Sequence, residues 1–296
     1  MRSWHYKKFF IFFIPFLLLG LKGDWGFEGH KAINRKAIYN LPPEMFGFYK
    51  KHLNYLVEHS VDPDKRRYAD PDEAVRHYID IDHFMEPGED PFEAMPTKWS
   101  EAIEKFTEDS LKTYGILPWQ VTWVTSQLTK AFEAKDVDKI LHLSADLGHY
   151  VADANVPLHT TENYDGKLTG QDGIHAFWES RLVELYMDEY DLLTPKAHYI
   201  ENTNKEIWGI IEYSYSQTFL VLSAEISAGI DIPDDQKFVY TERGSMEQKI
   251  QSLEYSNAYN QHLDGMVEDQ MKRSIVAVAS FWYTAWVNAG QPDLDF

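Results

Sequence analysis

Hydrophobic positions along this chain recur at helical rather than strand spacing. Ile33, Ala37 and Ile38 mark a helix over Lys31 to Tyr39, which Pro42-Pro43 stops. Phe46, Phe48, Tyr49, Leu53, Leu56 and Val57 form the buried stripe of a second, from Glu44 to Glu58. The polar segment HSVDPDKRRYADPDEAVRHYIDIDHF follows, where two Asp-Pro pairs break regular structure. After a loop from Pro87 to Pro96, helix resumes with Thr97 as its N-cap, and Gly115 and Pro118 separate it from a helix over Trp119 to Lys135. Asp136 caps the next helix, which carries Leu141, Leu147, His149 and Asp153. Phe177 to Leu193 is helical until Pro195 intervenes. Asn202 or Asn204 starts a further helix bearing Ile207, Ile210, Ile211, Phe219, Leu220 and Leu222, with Gly229 closing it. Ile230 to Ser245 is loop-like, and Ser256 to Asn288 forms a last long helix ending at Gly290-Gln291-Pro292. With no run of alternating strands, no repeat and no low-complexity tract, the pattern predicts an all-α, single multi-helix domain.

The first residues fall outside this pattern. Lys7 and Lys8 precede a thirteen-residue apolar run, Phe9 to Leu21, that is short for a membrane span and fits a secretory signal. The expected division is a signal over 1–24 and the domain over 25–296, with an uncleaved anchor as the alternative. The chain has no cysteine, so neither lipoprotein acylation nor a disulfide is available. These features predict an exported protein of a bacterial envelope, periplasmic or secreted. A net charge of −19 argues against a nucleic-acid coat protein or a polybasic membrane binder. It does not exclude phosphate esters as substrates, because bound metal ions reverse the local field.

Chemistry concentrates between His149 and Glu179. His149 and Asp153 are four residues apart, so a helix projects both from one face, and His175 and Glu179 repeat the arrangement. Val156-Pro157-Leu158 ends the first helix and delivers His159 from a loop. Imidazole and carboxylate converging from two helices and a loop suit zinc. One such pair is a common surface feature; two flanking Pro-Leu-His are harder to dismiss. His30, Asp62 and His77 are further donors outside the stretch. Each alone has an ordinary reading, as hydrogen-bonded histidines or, for Asp62, a turn residue whose neighbours Asp64 and Asp70 offer the same chemistry.

These residues resemble the trinuclear-zinc phosphodiesterases, which include bacterial zinc-dependent phospholipase C and the zinc-dependent single-strand nucleases. The motif is His-x-x-x-Asp, five residues, His, then His-x-x-x-Glu or Asp; here His149, Asp153, His159, His175 and Glu179 keep every spacing. The resemblance implies three Zn²⁺ per chain. Trp25, as the mature N-terminal residue, would bind one through its α-amino group and carbonyl oxygen, together with His30. Asp153 would bridge it to a second, held by Asp62, His77 and His149, and His159, His175 and Glu179 would hold the third. The spacing from Asp62 to His77 agrees with the family better than that from Asp70. The implied reaction is attack on phosphorus by a metal-activated water, with Asp62 and Asp153 as the catalytic carboxylates and Asp62 as a candidate proton acceptor.

Glu179 as the last ligand and Glu28 at the fourth mature position favour a phospholipase C-like enzyme acting on a phospholipid headgroup, with transient membrane contact. Tyr78 and Asp80 join Glu28 as expected substrate-binding residues. The alternatives are a single-strand nuclease or 3′-nucleotidase, and a non-catalytic zinc-binding envelope protein. A monomer is expected. His142 lies seven residues before His149 and is expected to act behind the ligands or as a buried hydrogen-bonding group. Phe281-Trp282-Tyr283 and Trp286 are expected in the core, and Lys65-Arg66-Arg67 on the solvated surface, with contact to an anionic substrate as its alternative.

Overall fold

The computed structural model describes residues 26–295 except 87, 244 and 245, so the N-terminal apolar run, the 24/25 boundary and Trp25 lie outside the described residues. The helices are α1 (Gly26–Ile38), α2 (Pro43–Lys51), α3 (Leu53–Glu58), α4 (Asp62–Arg66), α5 (Pro91–Ala94), α6 (Trp99–Phe106), α7 (Glu108–Tyr114) and α8 (Leu117–Glu133). They continue with α9 (Val137–Asp153), α10 (Ile174–Ala176), α11 (Leu182–Tyr186), α12 (Thr203–Ser216), α13 (Thr218–Gly229), α14 (Leu253–Leu263) and α15 (Met266–Asn288). The fold is all-helical apart from one hairpin, β1 (Phe238–Arg243) and β2 (Met246–Gln251), paired antiparallel with Phe238 opposite Gln251.

α8, α9, α15 and α1 pack on one another and form the core that carries the site. Phe281, Trp282 and Trp286 are buried there as expected, and Trp282 Nε1 donates to the Ser144 carbonyl at 2.9 Å. α1 and α9 meet closely at Gly148, where an added Cβ would lie 2.2 Å from Asn34 Oδ1. Only glycine permits that approach, and the approach sets His30 on α1 against His149 on α9.

Several predicted boundaries shift for local reasons. The helix expected over Glu44 to Glu58 is two, separated at His52, and the helix ending at Gly229 is also two, α12 and α13, capped at its start by Asn202. The last long helix breaks where Asp264 (φ 49°) and Gly265 (φ 81°) enter the left-handed region together. Thr97 does not cap α6; its carbonyl instead accepts from Trp119 Nε1. Helix from Phe177 stops at Tyr186 and a 3₁₀ turn, not at Leu193, and an extended strap docks onto α15 through His198 N to Ser280 Oγ and Ile200 N to Thr284 Oγ1. β1 falls within the segment expected to be loop, Ile230 to Ser245, and β2 follows directly after it.

Candidate metal centre

α9 ends in a turn that is buried throughout, and His149 and Asp153 on it begin the site. His149 Nε2 lies 3.2 Å from Asp153 Oδ2, the i, i+4 pair expected of one helix face. Asp136 caps the start of this helix by accepting from the Lys139 N–H. His77 arrives from the irregular segment after α4 and places Nδ1 3.0 Å from both Asp153 Oδ2 and His149 Nε2. α1 brings His30, whose Nε2 is 3.3 Å from Asp153 Oδ1 and whose ring stacks on His149 at 3.9 Å.

Asp62 is not in this group. It is part-exposed on α4 and bonds His59 Nδ1 at 2.5 Å and Lys65 Nζ at 2.9 Å. The carboxylate that α4 turns inward is Asp64, buried, with Oδ1 3.7 Å from His149 Nε2 and 3.8 Å from His77 Nδ1. Two residues along a helix rotate a side chain by roughly 200°. Asp62 and Asp64 therefore face opposite ways, and of the two it is Asp64 that lies beside the histidines.

A second group lies beyond Asp153. Pro157 starts a 3₁₀ turn that carries His159, and α10 carries His175 into a π-helical turn, Phe177–Arg181, that holds Glu179. His159 Nε2 is 3.1 Å from His175 Nε2 and 3.5 Å from Glu179 Oε2, which is 3.2 Å from His175 Nε2. Asp153 lies between His30 on Oδ1 and His77 and His149 on Oδ2, and its Oδ1 is 3.9 Å from the rear nitrogen, Nδ1, of His159. The start of α1 is adjacent as well, since a Cβ at Gly26 would lie 3.3 Å from Ser180 Oγ.

Hydrogen bonds from behind fix the imidazole tautomers. His149 Nδ1 faces the Ser60 carbonyl at 2.8 Å, and His159 Nδ1 faces the His77 carbonyl at 2.6 Å. Each Nδ1 must carry the proton, which leaves each Nε2 lone pair aimed into its cluster. Behind His77, buried Glu73 places Oε1 3.5 Å from Nε2 while accepting from the Tyr150 hydroxyl and from Arg76 and Arg66 at 2.7 and 3.2 Å. Lone pairs meeting in the interior repel unless a cation sits between them. Asp153 Oδ1 and Glu179 Oε2, both buried, receive no hydrogen bond. This donor set of imidazoles and carboxylates fits zinc. Among the described residues the groups able to hold an ion are His30 with Asp64 and His149, His77 with His149 and Asp153, and His159 with His175 and Glu179.

Electrostatics divide the imidazoles. Burial pushes His149 down to about 3, aided by His30 and His77 and opposed by Asp153, so it is neutral. Burial also disfavours charge on His77, but Asp153, Glu73 and Asp64 outweigh it and lift it to about 9. Asp153 is held well below the usual carboxylate range despite its burial, by His149, His159 and His30.

Beside the second group a cavity of about 260 Å³ is lined by Arg67, Tyr78, Asp80, Tyr164, His159 and His175. Asp80 is buried and pushed up to about 7, by burial and then by Asp82 and Glu162. Glu28 does not join it; it is exposed in the first turn of α1. His142 is also exposed and pairs with Asp146 at 3.5 Å, so it lies outside the interior expected for it. The basic run divides three ways. Lys65 stays at the surface, Arg66 forks onto Asp146 at 3.2 and 2.8 Å, and Arg67 reaches the cavity with Nη1 3.8 Å from Asp64. Tyr164 and Glu73 were not anticipated. A buried-side pattern (Glu73 four residues before His77) was the available signal for Glu73, and Tyr164 offered none.

A family model described as zinc-dependent phospholipase C matches residues 29–227. The chain belongs to that family. The match runs from the turn holding His30 through Glu179 and into α13, and it places the protein among hydrolases of phosphodiester bonds. Among curated proteins no sequence matches. Of solved structures, the alpha toxin from Clostridium absonum aligns over 93% of this chain and 67% of its own, at 14% identity and a TM-score of 0.51. The Clostridium perfringens alpha-toxin from an avian strain aligns over 92% and 66%, at 13% identity and 0.50. At that identity the likeness concerns the fold, and this chain spans about two thirds of the toxins' length.

Proposed function

We propose that this protein is a phospholipase C-like enzyme that cleaves the phosphodiester of a phospholipid and releases its phosphorylated headgroup. The observation that carries the reading is Asp153, a buried carboxylate with His30 on Oδ1 and His77 and His149 on Oδ2, beside a further donor group whose histidines line a cavity. Three zinc ions are the proposed complement. Two would share Asp153, one near His30 and one among Asp64, His77 and His149; the third would lie among His159, His175 and Glu179. Zinc bound there supplies Lewis-acid polarisation of a phosphoryl oxygen and lowers the pKa of a water toward about 7. Trp25 remains part of the proposal through its terminal amine and carbonyl oxygen.

The chain's own groups divide the remaining work. Asp64 takes the role expected of Asp62 and accepts the proton of the attacking water. Arg67, beside Asp64, is placed to fork onto non-bridging phosphate oxygens. Tyr78, Tyr164 and Asp80 line the space for a headgroup, where phenol rings and a carboxyl suit a cationic amine. Export to the envelope or beyond is proposed with this function. No helix among the described residues is long and apolar enough to cross a membrane.

Purified protein should hydrolyse phosphatidylcholine and leave single-stranded DNA intact. Activity on DNA alone would overturn the reading in favour of a nuclease, and zinc binding without hydrolysis of any phosphodiester would leave a non-catalytic metal protein.

A further inference from the structure

α13 carries a single charged residue, and the side of it that faces solvent is largely apolar. Val221, Ala224 and Ala228 are buried, and the helix packs on the 3₁₀ turn that carries His159 and on α14. The opposite side holds Phe219, Ser223, Ile226 and Ile230, at i, i+4, i+7 and i+11. Phe219 is 80% exposed, Ile226 55% and Ile230 74%. A helix of this character is ordinarily buried in a core or a membrane.

Polar groups have been withdrawn from this side. Glu225, the one charged residue of α13, is turned away, accepting from Gln171 Nε2 at 2.6 Å and from the Tyr255 hydroxyl. Ser223 and Ser227 donate their hydroxyls back to the carbonyls of Leu220 and Ser223 at 3.3 and 2.9 Å. The stripe thus offers no charge to a polar partner.

Its position is tied to the candidate active site. Gln171 Nε2 also donates to the Leu222 carbonyl at 2.8 Å, which fastens α13 to the loop running from Tyr164 to His175. At the tip of that loop Leu168 is 72% exposed, and Asn163 braces the tip by accepting from Leu168 N at 2.8 Å and donating to Thr169 Oγ1 at 3.0 Å. The exposed apolar side chains thus stand on two supports tied to the cavity's lining, the loop between Tyr164 and His175 and the helix fastened to it, with exposed Lys167 beside Leu168.

We propose that the exposed side of α13, with Leu168, docks into the interface of a zwitterionic phospholipid bilayer and holds the cavity mouth against it. This rests on the phospholipase reading of the same site. An uncharged stripe on a chain of net charge −19 matches a surface without net negative charge, which an anionic bilayer does not offer. Side chains entering the acyl boundary gain transfer energy in proportion to the apolar area they bury.

The test uses the full chain and a triple variant, Phe219→Gln with Ile226→Gln and Ile230→Gln. Because these side chains are already exposed, circular dichroism and melting should match the parent. Sedimentation with phosphatidylcholine vesicles should show binding weakened at least about a hundredfold, for three anchors each worth a fewfold to tenfold or more. Hydrolysis of vesicle lipid should fall with binding, while hydrolysis of the water-soluble p-nitrophenyl phosphorylcholine stays unchanged. Equal vesicle binding by parent and variant, or none by either, would overturn the proposal. So would a parent dimer that the variant abolishes, since a second copy would then cover the face. Vesicle binding lost in the variant, with no phosphodiesterase activity in the parent, would uphold the docking face and refute the enzymatic reading instead.

Discussion

Replacing Gly148 by alanine should damage the metal centre without touching a ligand. The new methyl would meet Asn34 Oδ1 at 2.2 Å, Cγ at 2.8 Å and Nδ2 at 2.9 Å, against roughly 3.5–4 Å for relaxed contact. Relief requires α1 and α9 to separate by about 1 Å, or Asn34 to swing away and give up its bond to the buried Leu56 carbonyl at 3.3 Å. Either route costs about 1–3 kcal/mol, as overpacking or as a stranded acceptor. Taking about 2 kcal/mol, the melting temperature should fall by roughly 4–8 °C. His30 sits one turn before Asn34 on α1, and His149 follows Gly148 on α9, so helix separation opens the stacked pair now at 3.9 Å. A displacement near 1 Å at a catalytic constellation costs about a hundredfold in rate. Gly209→Ala, where an added Cβ meets nothing within 4 Å, is the matched control and should be neutral or slightly stabilising. Asn34→Ala in the Gly148→Ala background should recover part of the zinc content. Scanning calorimetry with zinc analysis reads all three variants. A Gly148→Ala protein with parental melting, zinc and activity would refute the close-approach reasoning.

Further outcomes follow from the buried charges. Asp80 is pushed up to about 7, so its carboxylate forms as pH rises from 6 to 8; KM for a cationic-headgroup lipid should fall over that range, and Asp80→Asn should flatten the profile. In the metal-free chain His77 titrates near 9 and must lose its proton to serve as a ligand. Zinc affinity measured by competition with a chelator should therefore climb about tenfold per pH unit from neutrality toward 9 and then level off. The same raised pKa stabilises the metal-free fold fully below the unfolded value near 6.5, and this contribution should fade as pH rises through about 9. Removing zinc at neutral pH should lower the melting temperature by about 10 °C, if the metal is supplied at a thousand times its Kd.

The all-helical class and five clustered donors were legible in sequence, and the breaks between helices were not. His149, Asp153, His159, His175 and Glu179 lie on helices and one short turn, where separation along the chain fixes direction, and the structure brings all five together. Asp62 was chosen on its spacing to His77, which does not decide which way a side chain in an Asp-Pro segment faces. The five-residue helix α4 restored a period and turned Asp64 inward instead. Glu28 lies exposed and outside the cavity lining for a related reason: position in the chain does not decide which side of α1 meets solvent. Breaks at His52, Gln217 and Asp264 were hidden because the apolar stripes on either side stay in register. The hairpin escaped notice because its strands are mostly exposed and lack the alternation that a buried face imposes.

Zinc content of paired variants tests the metal centre most directly. Chain purified with zinc and freed of loosely held metal should retain about one ion for each donor group, three in all. Asp64→Asn should lose at least one of them together with nearly all phosphodiesterase activity, while Asp62→Asn should keep both. Loss in Asp62→Asn with retention in Asp64→Asn, or fewer than two zinc ions in the parent chain, would contradict the assignment of the buried donors to metal.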